Sequence, residues 1–297
     1  MIPSPATKSL LIRERLPELQ TLLDPCRLCP RECMARRKQG ETGECGIADT
    51  LIVSSIGLHH GEEYPISGTD GSGTIFLSGC NLHCVFCQNW EISQTAIGQP
   101  LSPVELAQAM LNLQASGAHN INWVSPTHVT PLLLDALRRA YDDGLKIPLI
   151  YNTGGYDSLD VLEMLDGIVD IYMPDMKYGN CDTAQQLSGI EDYVEVNQSA
   201  VQEMYRQVGS LQCDRSGVAY RGLLVRHLLL PDNLAASETI LAFLSGFPGP
   251  VDVNIMDQYR PCHHAEAVFQ LARRINRTEF EEILQLVRAI PNVHLVE

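Results

Sequence analysis

From residue 73 onward, short apolar runs alternate with longer amphipathic segments. Thr74 to Leu77, bounded by Gly73 and by Ser78-Gly79, reads as a short buried strand. Similar runs recur at 120–124 (NINWV), 147–151 (IPLIY), 168–173 (IVDIYM), 222–230 (GLLVRHLLL) and 251–256 (VDVNIM). Helices are predicted between them. Ser102-Pro-Val-Glu105 is a capping box opening a helix to about Ala115 that ends at Gly117, and Thr130-Pro131 opens one that stops at Gly144. A short helix follows from about Ser158, others lie near 181–188 and 197–208, and one starts near Ser237. Six strand-then-helix units with nearly continuous apolar strands predict a parallel sheet covered by helices, with its chemistry at the carboxyl ends of the strands.

The flanks read differently. Residues 1–24 look like one amphipathic helix with Leu10, Leu11, Leu16, Leu19, Leu22 and Leu23 inward and Arg13, Glu14 and Glu18 outward. Thr50 to Ile56 reads as a strand leading to a polar loop with His59 and His60, which are candidates to line a site. After residue 264 the pattern turns helical, with Thr278-x-x-Glu281 as a capping box and Val293 to Val296 as a last edge strand. The expected divisions are 1–72, 73–263 and 264–297.

Cysteine placement adds chemistry to this frame. Cys80, Cys84 and Cys87 follow the first strand at once, spaced C-x3-C-x2-C. Three thiolates on one tight loop can ligate three irons of a [4Fe-4S] cube and leave the fourth iron open, whereas a closed zinc site needs a fourth ligand. The strand-then-loop context argues against a zinc knuckle or ordinary core cysteines. A second set, Cys26, Cys29, Cys33 and Cys45, begins with C-x2-C among turn residues and suits a metal site. Zinc and an auxiliary iron–sulfur cluster both fit four thiolates, and a structural clamp is the plainer role. Cys181, Cys213 and Cys262 are unassigned, with core or solvent thiol as the default and Cys262, near the sixth strand end, as a candidate to face the site.

These motifs resemble the radical SAM superfamily. More narrowly, the chain is similar to an uncharacterised branch of iron–sulfur proteins akin to pyruvate formate-lyase activating enzyme. The resemblance runs through Cys26-x2-Cys-Pro-Arg-x-Cys33, His60-Gly-Glu-Glu63, the cysteine loop with Phe86, Cys87-Gln-Asn-Trp90, Val124-Ser-Pro-Thr-His128, Tyr151-Asn-Thr-Gly-Gly-Tyr156, Asp170 to Tyr178, Arg226-His227 and Met256 to Pro261. It implies a partial (β/α)6 TIM-like barrel of the radical SAM type with an N-terminal cysteine-rich metal-binding extension. The implied cofactors are a [4Fe-4S] cluster on Cys80, Cys84 and Cys87 and S-adenosylmethionine.

Residue roles follow from the same resemblance. Phe86 and Asn89 would shape the cover of the cluster together with Gln88 and Trp90. Ser125 and Thr127 stand where most members carry Gly-Gly-Glu for the methionine amino group. Asn152 and Thr153 occupy an Asp-Thr position, and Asp175 and Lys177 an Asp-Leu-Lys position in which the lysine neutralises the methionine carboxylate. Tyr259 and Arg260 sit where activating enzymes contact cofactor or glycyl loop. Arg226 lies inside an apolar strand, so it requires an acidic or carbonyl partner and is a candidate contact for cofactor or substrate.

The formal net charge of −15 over 297 residues excludes binding nucleic acid through phosphates. No run approaches eighteen apolar residues and the N-terminus lacks a signal-peptide core, so the expected setting is the cytoplasm, without membrane contact. The reading predicts a low-potential electron donor, flavodoxin or ferredoxin. The hydrogen donor would be a glycyl residue of a partner glycyl radical enzyme or, alternatively, a small molecule or another peptide. A non-catalytic iron–sulfur or zinc protein, serving as electron carrier or scaffold, is the competing class. A carrier has no use for an open iron.

Overall fold

The computed structural model describes residues 2–296. In chain order the elements are α1 (Pro5–Thr21), β1 (Leu51–His59), α2 (Tyr64–Ser67), β2 (Ser72–Leu77), α3 (Trp90–Thr95), β3 (Gln99–Leu101), α4 (Pro103–Ala115), β4 (Ile121–Val124) and α5 (Thr130–Asp142). There follow β5 (Leu149–Thr153), α6 (Leu159–Leu165), β6 (Ile171–Pro174), α7 (Cys181–Ser188), α8 (Tyr193–Val208), β7 (Gln212–Cys213), β8 (Ala219–Leu228), α9 (Ser237–Ser245), β9 (Val251–Met256), α10 (Arg277–Arg288) and β10 (Val293–Leu295).

The sheet runs β10-β9-β8-β6-β5-β4-β2-β1-β3, with β7 paired to β8 off this path. From β2 to β10 every neighbouring pair is parallel, while β1 and β3 add antiparallel strands beyond β2. The path does not close, so the sheet forms a partial barrel with edges at β3 and β10. Helices pack its outer face through an apolar core that includes Leu106, Leu133, Leu137, Leu162, Met204 and Leu241. The register places Phe76, Val124, Asn152 and Met173 on one level. The loops after β2, β4 and β5 therefore leave from the same rim.

Several boundaries moved for physical reasons. β1 extends to His59 because pairing with β2 carries it past Ile56, and the expected boundary after residue 72 falls inside β2. β5 and β6 lie two to three residues later than the apolar runs suggested, since Asn152, Thr153 and Pro174 belong to the ladder. The C-terminal capping box is real but lies earlier: Asn276 caps and Glu279 reciprocates, two residues before Thr278-x-x-Glu281. In α1 the buried face is not the leucine stripe alone. Leu10 is 64% exposed, while Lys8 is buried and donates Nζ to both carboxylate oxygens of Asp170 at 2.5 Å. That pair ties α1 to the start of β6. Burial pulls the Lys8 ammonium down and Asp170 only partly restores it.

Candidate active site

At the carboxyl ends of the strands, the loop after β2 brings Cys80, Cys84 and Cys87 to the wall of one cavity of about 410 Å³. All three thiols are free. Short side chains and backbone hold the loop: Ser188 donates its hydroxyl to Cys84 Sγ at 3.1 Å, Ser93 Oγ lies 3.3 Å from Cys87 Sγ, and the Leu82 amide donates to Cys80 Sγ at 3.4 Å. Burial pushes the Cys80 thiol up to about 12 and also raises that of Cys87. Neutral buried thiols gain little here, whereas thiolates bound to iron would be stabilised by the same N–H and O–H donors. No fourth cysteine lines the cavity among the described residues. The donor set thus fits an iron–sulfur cube held by three thiolates.

The remaining wall is polar and comes from three strand ends. After β4, Ser125 adopts the left-handed backbone region with φ 59°, and its amide donates to the Asn152 carbonyl at 2.8 Å. A strained non-glycine residue at a strand end is a recurrent mark of a site. After β5, Asn152, Thr153 and Gly154 line the cavity, and after β6, Asp175 and Lys177 do so. Lys177 Nζ contacts Asp175 Oδ2 at 2.5 Å. Burial alone would lower the Lys177 ammonium, but the Asp175 carboxylate leads the influences that outweigh it and keep the lysine charged. A fixed cation beside the thiols, with hydroxyl and amide groups on the adjoining wall, matches the carboxylate, amino and hydroxyl groups of S-adenosylmethionine.

Not every expected residue reaches that wall. Asn89, Ser125, Asn152, Thr153, Asp175, Lys177 and Arg226 line it, together with His59. Phe86, Thr127 and Tyr259 do not; they lie in the layer behind. Phe86 packs edge-on against Tyr178 and Tyr259 under the cysteine loop, and the Tyr259 hydroxyl donates to the Leu271 carbonyl at 2.7 Å. Thr127 donates to Asp157 Oδ1 at 2.7 Å, and Thr153 donates to Asp157 Oδ2 at 2.7 Å. Arg226 does reach the wall, but its guanidinium is committed to Glu62 and Glu63, the acidic partners its place in an apolar strand required. Gln88 and Trp90 cover the loop from the β9 side: Gln88 Nε2 donates to the Gln258 carbonyl at 3.1 Å, and Trp90 stacks on His263 with ring centroids 5.2 Å apart.

Two contributors went unread in the sequence. Asp157, fully buried, organises both hydroxyl residues, and burial raises its carboxyl above the usual range. The only sequence signal for it was an acidic residue directly after Gly154-Gly155-Tyr156 at a strand end. Glu62 lines the cavity near His59, on a segment that precedes the cysteine loop.

The second cysteine set gathers beside this site. Burial pushes the Cys29 thiol up to about 12, with smaller influences from Cys26 and Cys45, and burial likewise raises Cys45, which also feels Cys26 and Cys33. Cys33 and Cys45 both flank Gly43. A Cβ on Gly43 would lie 3.0 Å from Cys33 Sγ, which explains glycine there. Among the described residues no three His, Cys, Asp or Glu side chains converge closely enough for a single metal ion. Arg31 links the set to the cluster loop by donating to the carbonyls of Asn81 (2.9 Å), Ser188 and Gly189 (3.2 Å each).

Comparison with known proteins agrees with this geometry. Residues 74–206 match the model of the radical SAM superfamily. The uncharacterised protein MJ0674 of Methanocaldococcus jannaschii is 30% identical over 269 residues, covering 88% of this chain and 73% of that protein. A second uncharacterised protein of the same organism, MJ0808, is 27% identical over 174 residues, about half of each chain (53% and 50%). The crystal structure of HydG, a maturase of the [FeFe]-hydrogenase, superposes with a TM-score of 0.52 at 14% identity over 78% of this chain and 53% of that one, which is a likeness of fold. The chain belongs to the radical SAM superfamily, whose members use a [4Fe-4S] cluster and S-adenosylmethionine. No helix among the described residues is long and apolar enough to cross a membrane.

Proposed function

We propose that the protein is a radical SAM oxidoreductase that abstracts a hydrogen atom from a substrate. The observation that carries this reading is the convergence of Cys80, Cys84 and Cys87 with Asn152, Thr153, Asp175 and Lys177 on one cavity at the strand ends. When bound, the cluster and S-adenosylmethionine supply the 5′-deoxyadenosyl radical. The chain's own groups do the rest. The three cysteines would hold the cluster, Lys177 would receive the methionine carboxylate, Asn152 and Ser125 would offer hydrogen-bonding groups, and the Gln88 to Trp90 cover would limit access of water.

Two targets suit this chemistry. The resemblance to pyruvate formate-lyase activating enzyme suggests a glycyl residue of a partner enzyme. The cavity of about 410 Å³, whose lining includes Glu62 and Arg226, favours a small molecule or a single side chain of a peptide. Flavodoxin or ferredoxin is the electron donor in either case. Ten free cysteines suit a reducing compartment, and we place the protein in the cytoplasm. Cys26, Cys29, Cys33 and Cys45 form a second metal centre, zinc or iron–sulfur, that braces the cluster loop through Arg31.

The test is anaerobic reconstitution, analysis of iron, sulfide and zinc, and assay of 5′-deoxyadenosine after adding dithionite and S-adenosylmethionine. Product formation with at least about four irons per chain is expected. A fully loaded protein that neither binds nor cleaves S-adenosylmethionine would refute the reading.

A further inference from the structure

The cavity ends on a floor that the cofactors do not account for. It is built by the segment from His59 to Ser67, which turns into the lower end of the barrel. Ile66 packs there with Ile150, Met173 and Leu224 as an apolar plug. The turn is pinned: Asn120 Nδ2 donates to the Ile66 carbonyl at 2.7 Å, and Ser67 Oγ bonds the Glu62 backbone at 3.2 Å. Glu62 and Glu63 are thus carried on a fixed support. Their side chains are 8% and 2% exposed.

The two carboxylates are used unequally. Glu63 accepts Arg226 Nε at 2.8 Å and Nη2 at 2.5 Å, and also Asn254 Nδ2 at 2.7 Å. Burial alone would raise its carboxyl, but Arg226 outweighs burial and holds it below the usual range. Glu62 shares the same Arg226 Nη2 and otherwise has only Asn122 Nδ2, at 3.2 Å. It is Glu62, not Glu63, that lines the cavity. Beside it, Asn122 is fully buried and its Oδ1 accepts no hydrogen bond among the described residues.

Two carboxylates against one guanidinium leave one excess negative charge in an enclosed place. Such a charge is costly unless it is paired. The lysine on the same wall, Lys177, is already matched by Asp175. An anionic or acceptor-only group would meet the Glu62 carboxylate there. A protonated nitrogen would offer it N–H donors and restore neutrality.

We propose that Glu62, held from behind by Asn122, forms a subsite for a protonated nitrogen of the substrate, an ammonium or guanidinium group, at the floor of the cavity. The inference rests on the radical SAM reading above and narrows its substrate class to cationic amines or guanidines. S-adenosylmethionine carries an ammonium of its own, so the test must separate the two sources.

The experiment uses the reconstituted holoprotein saturated with S-adenosylmethionine. Binding of n-pentylammonium and n-butylguanidinium is followed by saturation-transfer NMR, with uncharged n-pentanol as the matched control, and S-adenosylmethionine affinity is measured in parallel. The wild-type protein should bind both cations and discriminate against pentanol. Glu62→Gln should weaken the cations tenfold or more, the size of one charge-assisted hydrogen bond, with less than a threefold change in S-adenosylmethionine affinity. Equal binding of pentanol to the wild type, which needs no variant to fold, would overturn the proposal. So would cation binding that survives Glu62→Gln, or a parallel loss of S-adenosylmethionine affinity, which would assign Glu62 to the cofactor. Failure of the wild type to bind S-adenosylmethionine at all would instead bring down the radical SAM reading and this inference with it.

Discussion

The protein gathers cysteines twice, and the two groups live in opposite surroundings. Cys80, Cys84 and Cys87 sit on a loop at a strand end, facing a cavity with hydroxyl groups and a lysine around them. Cys26, Cys29, Cys33 and Cys45 face no such cavity. Cys26 and Cys45 pack into the apolar core with Leu28 and Ile47, and the buried Arg37 beside them donates to the carbonyls of His128 (2.6 Å) and Ala48 (2.8 Å). The first arrangement leaves room for a ligand to reach the metal. The second encloses its thiols and connects separate parts of the chain. Similar side chains thus line an open cavity in one place and pack into the core in the other, and access distinguishes the two.

The largest expected effect lies in the first set. Cys84→Ala should reduce 5′-deoxyadenosine formation to the level of a protein-free blank while leaving the secondary structure, read by circular dichroism, in place. Cleavage persisting in that variant would show that the cluster has been placed on the wrong residues. In the second set, Cys29→Ser should remove the metal bound there and lower the unfolding free energy by roughly 3 kcal/mol or more, measured by anaerobic denaturation. Its 5′-deoxyadenosine yield per intact first cluster should stay within about twofold of wild type, because the sites are separate. Unchanged metal content and stability would remove the structural role, and a lost yield at full first-cluster occupancy would make the second set part of the chemistry. The smallest of the three is Lys177→Met. Losing one charge-assisted contact should weaken S-adenosylmethionine binding by about ten- to a hundredfold with no change in metal content, as equilibrium dialysis can check. Undiminished affinity would mean that the cofactor carboxylate is held elsewhere.

The legible parts of the fold were those written in local pattern. Strands β4 and β9 and helices α4, α5 and α7 were visible because apolar period, caps and glycine stops agreed. The ends of β5 and β6 were misplaced because Asn152, Thr153 and Pro174 are polar or ring-locked and look like loop, yet their neighbours supply ladder partners. α1 was seen as a helix but its buried face was misjudged, since Lys8 enters the core only by finding Asp170, 162 residues away.

The same division runs through the site. Three cysteines within eight residues can show their purpose without a fold, because tight spacing alone brings their thiols together. Asn152, Thr153, Asp175 and Lys177 were readable because strand ends of a parallel sheet share one rim. Thr127 and Tyr259 bore similar signatures, but a rotation of side chain or backbone separates the wall from the layer behind it, and packing sets that rotation. What only the tertiary structure decided is the meeting of Glu62 and Glu63 with Arg226, 164 and 163 residues on, and with Asn122 and Asn254. Charge pairing over such separations leaves no local pattern, because it is selected by burial after the strands have assembled rather than by the spacing of residues along the chain.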